Sequence, residues 1–178
     1  MAIIGANFED KMGNILIVNT DDEVVGSKQY KDVRYEDIYR VTALWLTDLH
    51  GKYCLITQRK WTKQNDPGKW MMAVSGTVEE GETYDSNIAK ETLEEIGVSN
   101  IEFMIEKKIF IDDGNHKFFV QFFSSKIDKE KTKIEIQTDE VEAYRWLLIE
   151  DLLNWINLKP DEFVPSMMES LASVKVVK

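Results

Sequence analysis

Residues 76–98 read GTVEEGETYDSNIAKETLEEIGV, a glycine-rich loop followed by a helical pattern that carries three glutamates. Side chains three and four positions apart on a helix share one face, so Glu91, Glu94 and Glu95 present neighbouring carboxylates. Lys90 is the single basic residue of this stretch, and carboxylates that are not neutralised repel one another. A hard divalent cation such as Mg²⁺ takes oxygen ligands and sits between carboxylates and the phosphates of a substrate. The segment therefore predicts a divalent metal site.

The same segment carries signals that begin, end and bury the helix. Thr83 is a predicted N-cap, and Gly97 is a predicted C-terminal stop. At about 100° per residue, an arc roughly opposite the glutamates holds the positions predicted to face the core: Ile88, Ala89, Thr92, Leu93 and Ile96. Taken alone, the three glutamates also fit a solvated acidic stripe on an exposed amphipathic helix, and the helix pattern leaves both interpretations open.

The spacing of the whole segment resembles the Nudix box, the signature of the Nudix hydrolase family. That signature runs Gly, five residues, Glu, seven residues, Arg-Glu, an apolar residue, any residue, Glu-Glu, any residue, Gly and an apolar residue. The matching positions are Gly76, Glu82, Glu91, Glu94, Glu95, Gly97 and Val98. Two positions depart, because Lys90 replaces the usual Arg and Thr92 stands where an apolar residue is usual. A lysine does not reproduce the planar fork of an arginine, so the orientation of the adjacent glutamate is in question.

The resemblance implies a set of metal ligands. Glu91, Glu94 and Glu95 would hold one or more Mg²⁺ or Mn²⁺ ions, with the carbonyl oxygen of Ser75 or Gly76 as a further ligand. Such ions bridge diphosphate oxygens, neutralise charge that develops on the leaving group and lower the pKa of an attacking water. The implied reaction is hydrolysis of a P–O–P linkage.

The resemblance also implies roles for residues around these ligands. Glu82 would sit at the corner between loop and helix and support either the loop or a second metal. Lys90 would orient Glu91 or contact phosphate. A general base must lie within hydrogen-bond reach of the attacking water, and the candidates are Glu140 first and Glu91 second. The alternative for Glu140 is an ordinary exposed acid in a loop.

Basic and aromatic residues that precede the box are candidates for substrate binding. Arg59 is the first candidate to meet the charge of a diphosphate outside the metal shell. Lys69 is a second candidate, and the alternative for it is an ordinary solvated lysine. Trp61 could stack on a nucleobase or cover the edge of the core. His50 and His116 each fall in a predicted turn without ligand spacing to a partner, so both are expected to be structural or to face solvent.

Composition restricts the class of protein. With 178 residues and 43% hydrophobic content, one domain is expected over residues 1–178, with 1–38 as an N-terminal hairpin extension and 150–178 as C-terminal helices. A net charge of −10 argues against a nucleic-acid partner. Residues 1–12 predict no signal peptide, and no stretch is long and apolar enough to span a membrane. Cys54 is the one cysteine, so no internal disulfide forms and a cytoplasmic location is expected.

Strand and turn signals predict an α/β fold. Three hairpins are expected, from residues 14–18 with 23–27, 39–47 with 53–58, and 101–112 with 117–125. Two further strands are expected at 70–75 and 143–148, and further helices at 150–156 and 165–173. Strands interrupted by a few helices imply a mixed sheet covered on both faces, which agrees with the α/β/α sandwich that the Nudix resemblance implies.

Three functional hypotheses follow. The first is a metal-dependent pyrophosphohydrolase that cleaves the diphosphate linkage of a nucleoside diphosphate joined to another moiety, or of a nucleoside triphosphate. The second is a non-catalytic nucleotide-binding regulatory module of the same fold. The third is an isomerase, because residues 23–26 are similar to the hairpin of the isopentenyl diphosphate isomerase branch. That enzyme needs a cysteine and several histidines before its box, and residues 73–76 supply neither, while Cys54 and His50 lie on an earlier hairpin.

The expected partner of the chain is a small-molecule nucleotide or another diphosphate. Neither nucleic acid nor membrane is expected as a partner. Pairing of N-terminal hairpins would be compatible with a homodimer, and the oligomeric state is left open.

Overall fold

The computed structural model describes residues 13–177, which form a nine-stranded mixed sheet and three α-helices. The strands are β1 Asn14–Val18, β2 Val24–Gln29, β3 Ile38–Asp48, β4 Tyr53–Arg59, β5 Trp70–Met72, β6 Val74–Thr77, β7 Met104–Asp112, β8 Lys117–Ile127 and β9 Val141–Leu148. The α-helices are α1 Tyr84–Ile96, α2 Ile149–Leu158 and α3 Met167–Ser173, and two 3₁₀ helices are found at Tyr30–Asp32 and Pro160–Glu162. The prediction that no signal peptide is present concerns residues 1–12, outside the described residues.

The three predicted hairpins are confirmed. β1 pairs with β2, β3 with β4, and β7 with β8, each in antiparallel register. The sheet is mixed because β3 also runs parallel to β8 along its whole length, from Ile38 opposite Lys117 to Asp48 opposite Ile127. This long parallel ladder makes β3 the centre of the sheet.

The sheet opens between β3 and β4. These two strands are paired at Leu46 with Leu55 and at Thr47 with Cys54. Beyond this point β5 pairs with β4 while β6 pairs with β3. The single strand predicted over residues 70–75 is therefore wrong, because the chain changes partner at Ala73. The divergence leaves room for a cleft beside the loop that precedes α1.

Helices cover both faces of the sheet, which confirms the predicted α/β/α sandwich. Successive strand residues point to opposite faces. On one face, Leu44 and Leu46 pack with the buried side of α1. On the other face, Ala43 and Trp45 pack with residues of α2 and α3, namely Leu152, Ile156, Met167 and Leu171. None of the helices within residues 13–177 is long and apolar enough to cross a bilayer.

The predicted ends of α1 are confirmed. The Thr83 hydroxyl accepts a hydrogen bond from the Ser86 amide at 3.2 Å, and the Thr83 amide donates to the Ser86 hydroxyl at 2.8 Å. This reciprocal pair satisfies two amides that a helix start leaves without a helical partner. At the other end Gly97 adopts the left-handed conformation, with φ at 70°, and its amide donates to the Leu93 carbonyl. A short, strongly capped helix therefore fixes the position of the glutamates.

The predicted buried arc of α1 is partly wrong. Ala89 and Leu93 are exposed, and the buried positions are Asn87, Ile88, Thr92, Glu95 and Ile96. The helix is rotated so that Glu95 faces the sheet, because the strand that ends in the glycine-rich loop covers this side of the helix. The interpretation as a fully solvated acidic stripe is thereby excluded.

Candidate active site

Two glutamates of α1 lie beneath the strand that leads into the glycine-rich loop. Glu95 has 5% of its surface exposed, and its Oε2 accepts a hydrogen bond from the Ser75 amide at 3.3 Å. Glu91 packs on Gly76 so closely that a Cβ built there would lie 2.2 to 2.5 Å from its Cγ, Cδ and Oε1 atoms. Glu94, between them in sequence, is exposed. The absence of a side chain at Gly76 is what lets the Glu91 carboxyl reach the strand.

A fourth carboxylate comes from the segment before β9. This segment docks on the end of α1, because the Gln137 amide donates to the Glu95 carbonyl at 3.0 Å. The Glu140 carbonyl in turn accepts from the Lys60 amide at 2.9 Å. The Glu140 side chain lies 3.4 Å from the Lys63 ammonium and borders the same cleft as Glu91 and Glu95. The structure thus brings Glu140, predicted from a distant part of the chain, to the box glutamates.

Burial and mutual repulsion disfavour the ionised form of the two inner carboxyls. Burial, with the charges of Glu140 and Glu94, raises the pKa of Glu91 to about 8, although Lys90 opposes the shift. Burial and the charges of Glu91 and Glu140 raise the pKa of Glu95 well above its usual range, although the Ser75 amide and Lys63 oppose this. A cation among these oxygens would relieve both effects.

The donor set fits a hard divalent ion. Carboxylate oxygens are the ligands that Mg²⁺ and Mn²⁺ prefer, and the inner pair is held by packing and a backbone hydrogen bond. Within residues 13–177, no three acidic, histidine or cysteine side chains already converge on one point. An ion bound by Glu91 and Glu95 would take its remaining ligands from water, from the carbonyl oxygen of Ser75 or Gly76, or from Glu94 or Glu140 if either side chain turned inward.

A raised pKa of Glu91 in the folded state predicts a pH-dependent stability. The usual pKa of this carboxyl is 4.5, and its pKa in the folded protein is about 8. Its contribution to the free energy of unfolding is therefore fully present below pH 4.5 and is lost as the pH rises through 8. In chelator we expect the Tm to fall between about pH 5 and pH 8, by roughly 2–4 °C for each kcal/mol lost. Differential scanning fluorimetry of the wild type and Glu91→Gln measures this.

The variant isolates the effect of this one carboxyl. Glu91→Gln should show a shallower fall in Tm than the wild type, because its amide does not ionise. Mg²⁺ added at pH 8 should raise the Tm of the wild type more than that of the variant. Equal pH profiles for the two proteins in chelator would contradict the assignment.

Lys90 and Glu82 form a bridge beneath the loop. The Lys90 ammonium donates to Glu82 Oε1 at 2.9 Å and to Glu79 Oε2 at 3.0 Å. Glu82 Oε2 also accepts from the Glu79 amide at 2.9 Å and from the Asn87 side chain at 2.8 Å. The structure thus places Glu82 as a support of the loop. Within residues 13–177, the ion pairs of Lys90 are with these two acids and not with Glu91.

This bridge predicts different outcomes for two Lys90 variants. Lys90→Arg should keep activity within a few-fold, because a guanidinium can also bridge Glu82 and Glu79. Lys90→Met should destabilise the fold by about 1 kcal/mol, because it leaves two neighbouring carboxylates without their shared cation at a partly exposed site. Thermal unfolding and turnover of both variants measure this. A severe loss of activity in Lys90→Arg with an unchanged Tm would instead place Lys90 on the substrate.

The three predicted substrate-binding residues occupy different positions. Arg59 borders the cleft, where its Nε donates to the Asn65 carbonyl at 3.0 Å. Lys69 lies outside the cleft lining and pairs with Asp66 at 3.6 Å. Trp61, 65% exposed, packs against Gly68 and also lies outside the lining. Of these three residues, Arg59 lines the cleft that the box glutamates also border.

The cleft extends from the glutamates across the centre of the sheet. It has a volume of about 1420 Å³. Its apolar lining comes from alternate residues of β3 and β8, from β5 and from α3: Val41, Ala43, Met71, Met72, Phe118, Val120, Phe122 and Met167. Its far end is lined by Tyr30, Tyr39 and His116. His116, expected to be structural or to face solvent, lines the cleft because β8 runs parallel to β3 and places the β7–β8 turn beside the start of β3.

Comparisons with known proteins agree with this geometry. Residues 38–167 match the NUDIX domain family. The chain is 29% identical over 160 residues to the prenyl-diphosphate phosphatase of Methanosarcina mazei, covering 88% of this chain and 92% of that protein. It is 27% identical over 168 residues to the isopentenyl-diphosphate Delta-isomerase of Enterobacter sp. (strain 638), covering 90% of each. The solved structure of DR0079 from Deinococcus radiodurans matches with a TM-score of 0.69 at 24% identity, covering 82% of this chain and 89% of that one.

Proposed function

Because the chain belongs to the Nudix hydrolase family of diphosphate hydrolases, we propose that it is a metal-dependent pyrophosphohydrolase. Its proposed substrate is a nucleoside diphosphate joined to another moiety, or a nucleoside triphosphate. The observation that supports this proposal best is the cluster of carboxylates at one end of the cleft. Glu91 and Glu95 are held against Gly76 and Ser75 in positions where burial and repulsion disfavour their charge, and Glu140 borders the same space.

The inner carboxylates and their neighbours are the proposed ligands of Mg²⁺ or Mn²⁺. Glu91 and Glu95 would bind first, and Glu94 would join them from the exposed side of α1. When bound, such an ion neutralises charge on a diphosphate and makes an attacking water more acidic. The protein's own contribution is to hold these oxygens rigidly, since α1 is capped at both ends.

Glu140 is the proposed general base. Glu91 is fixed by its packing on Gly76 and is better suited as a ligand. Glu140 instead lies on the cleft wall, close enough for its charge to act on both Glu91 and Glu95. Its backbone is fixed to Lys60, and its side chain is held beside Lys63. A carboxylate so placed can take a proton from water that approaches the ligand cluster.

The cleft supplies cations for the substrate phosphates. Arg59 borders the cleft on β4, and Lys63 lies beside Glu140. Both extend from the β4 side of the opening, whereas the glutamates lie on the β6 side. A diphosphate between them would have cationic groups on the side that faces away from the metal ligands.

An isomerase function is disfavoured by the position of Cys54. Its Sγ donates to the Leu147 carbonyl at 3.6 Å in the interior, and burial raises the pKa of the thiol to about 12. It lies outside the cleft lining, so it is not placed to exchange protons with a substrate there. His50 is exposed in the turn between β3 and β4. The buried thiol is also compatible with the proposed cytoplasmic location.

A prenyl diphosphate is the second candidate substrate. The floor of the cleft is apolar over β3 and β8, and such a surface would accept a hydrocarbon chain. The prenyl-diphosphate phosphatase of M. mazei is one of the relatives of the chain. Both candidates share the same cleavage of a diphosphate at the glutamate end of the cleft.

The test is phosphate release, coupled to a phosphatase, from nucleoside diphosphate sugars, ADP-ribose, dinucleotides, nucleoside triphosphates and prenyl diphosphates. Each is assayed with Mg²⁺, with Mn²⁺ and with chelator. We expect turnover of one class with metal and none with chelator. Turnover that persists in chelator would overturn the metal dependence of the proposed reaction. Silence across the panel from folded protein would overturn the hydrolase proposal and favour the non-catalytic binding module.

A further inference from the structure

Asn87 is a fully buried amide beside one of the proposed metal ligands. It lies near the start of α1, four residues before Glu91, and both side chains lie on the same side of the helix. Its side-chain nitrogen donates to Glu82 Oε2 at 2.8 Å, to the Thr77 carbonyl at 3.1 Å and to Glu91 Oε1 at 3.4 Å. Residue 87 falls among the seven positions that the Nudix box leaves unspecified before Lys90. The family pattern therefore assigns it no role.

The orientation of the Asn87 amide follows from its partners. Its oxygen accepts a hydrogen bond from the Thr42 hydroxyl at 2.5 Å. The reverse orientation would turn this oxygen toward the Glu82 carboxylate and the Thr77 carbonyl, which accept hydrogen bonds and do not donate them. Thr42 is fully buried on β3, and its hydroxyl is 3.5 Å from the Gly76 carbonyl oxygen, too far to compete with the amide. The central strand of the sheet therefore holds the amide in one orientation.

This amide contacts Glu91 where the box lysine does not. The Lys90 ammonium is bound by Glu82 and Glu79, as described above. The Glu91 Oε1 atom, in contrast, packs on Gly76 and accepts from Asn87. A carboxyl group that is held at one oxygen presents its other oxygen in a defined direction.

Two interpretations of Asn87 make different predictions. An amide nitrogen carries two hydrogens, and here it faces three acceptors, so one hydrogen is shared. If the bonds to Glu82 and Thr77 alone matter, Asn87 supports the glycine-rich loop. If the bond to Glu91 matters as well, Asn87 also controls a metal ligand. Metal affinity distinguishes the two interpretations, because the second acts through Glu91.

We propose that Asn87, held by Thr42, is a positioning residue that orients Glu91 toward a divalent ion. This inference rests on the proposed function, in which Glu91 is a ligand of that ion. Groups that hydrogen-bond a metal ligand fix its direction, and their loss typically weakens metal binding by about 10- to 100-fold. The contact also explains how the chain orients this box glutamate with a lysine, and not an arginine, at residue 90.

Two matched threonine variants test the chain of contacts. Thr42→Val and Thr92→Val each remove a hydroxyl from a fully buried threonine and keep the shape of the side chain. The Thr92 hydroxyl donates to the Ile88 carbonyl within α1, whereas that of Thr42 donates to Asn87. In an electron paramagnetic resonance titration of Mn²⁺, we expect Asn87→Ala and Thr42→Val to weaken binding, the former about ten-fold, and Thr92→Val to leave it unchanged. The Tm of each variant in chelator reports whether it is folded.

A double-mutant cycle shows through which acid Asn87 acts. In the Glu91→Gln background, Asn87→Ala should change the Mn²⁺ affinity by less than about two-fold, because the group that it orients is already altered. In the Glu82→Gln background, Asn87→Ala should still weaken binding about ten-fold.

The outcomes that contradict the inference are distinct from failure of the proposed function. An equal loss of affinity on adding Asn87→Ala to wild type and to Glu91→Gln would overturn it. So would a Thr42→Val protein that binds Mn²⁺ as Thr92→Val does, and this comparison decides the matter if Asn87→Ala does not fold. In either case a wild type that binds Mn²⁺ and hydrolyses a diphosphate would leave the proposed function standing. A wild type that does neither would remove both.

Discussion

Glu95→Gln is expected to lower metal-dependent turnover by roughly 1,000-fold, the effect of losing about 4 kcal/mol of transition-state stabilisation. The amide keeps the shape of the side chain, and its oxygen can still accept from the Ser75 amide. It loses the negative charge that a divalent ion requires of a ligand. Glu94→Gln is expected to act in the same direction from the exposed side of α1.

The stability of Glu95→Gln should not fall. In chelator the wild-type carboxyl is buried beside Glu91 and Glu140, and its ionisation is disfavoured. A neutral amide removes that repulsion, so we expect an equal or higher Tm at pH 8. Asp85→Asn is the control, since it removes an exposed carboxylate from the first turn of the same helix and should leave turnover within two-fold. Wild-type turnover in Glu95→Gln would contradict the assignment of Glu95.

Gly76→Ala is expected to reduce kcat/KM by roughly 100-fold, the scale associated with a misplacement of about 1 Å in an active site. A Cβ at this position would lie 2.2 to 2.5 Å from the Glu91 carboxyl group and its Cγ. The Glu91 side chain is the group able to move, because Gly76 is held in the strand ladder opposite Thr42. Glu91 would then swing out of the ligand cluster, while the sheet stays intact.

Gly26→Ala provides the matched comparison on another strand. A Cβ at Gly26 meets nothing within 4 Å, so this variant should keep wild-type turnover. Kinetics with Mg²⁺ and circular dichroism of both variants distinguish a displaced ligand from a damaged fold. Turnover of Gly76→Ala close to that of Gly26→Ala would mean that the position of Glu91 does not matter for the reaction.

Local features of the chain could be predicted well from the sequence. Thr83 and Gly97 mark the ends of α1, because capping depends on residues within one turn of the helix. The hairpins were predictable for the same reason, since each is formed by neighbouring apolar runs around a short turn. The resemblance to the Nudix box also predicted which glutamates of that helix belong to the metal site.

The side of α1 that is buried could not be obtained from periodicity. Hydrophobic spacing assigned Ala89 and Leu93 to the core, yet Glu95 is buried and Leu93 is 53% exposed. The strand that covers Glu91 and Glu95 is formed by residues that follow the change of partner at Ala73. Gly76 was the sequence feature that indicated this packing, because a glycine within a strand often marks the close approach of another group.

The far end of the cleft was the least predictable part. Tyr30 and Tyr39 lie near each other in sequence, but His116 is 77 residues beyond Tyr39, and no local pattern joins it to them. They meet because β8 runs parallel to β3, which places the β7–β8 turn beside the start of β3. Long-range strand pairing of this kind depends on the whole sheet. The sequence around His116 therefore could not show that this residue lines the cleft.

The proposed reaction depends on a divalent ion held by Glu91 and Glu95. The most direct measurement is an electron paramagnetic resonance titration of Mn²⁺ against wild type, Asp85→Asn and the double variant Glu91→Gln/Glu95→Gln. We predict that wild type and Asp85→Asn bind Mn²⁺ alike and that the double variant leaves most of it free. A double variant that binds Mn²⁺ as tightly as the wild type would contradict the assignment of Glu91 and Glu95 as its ligands.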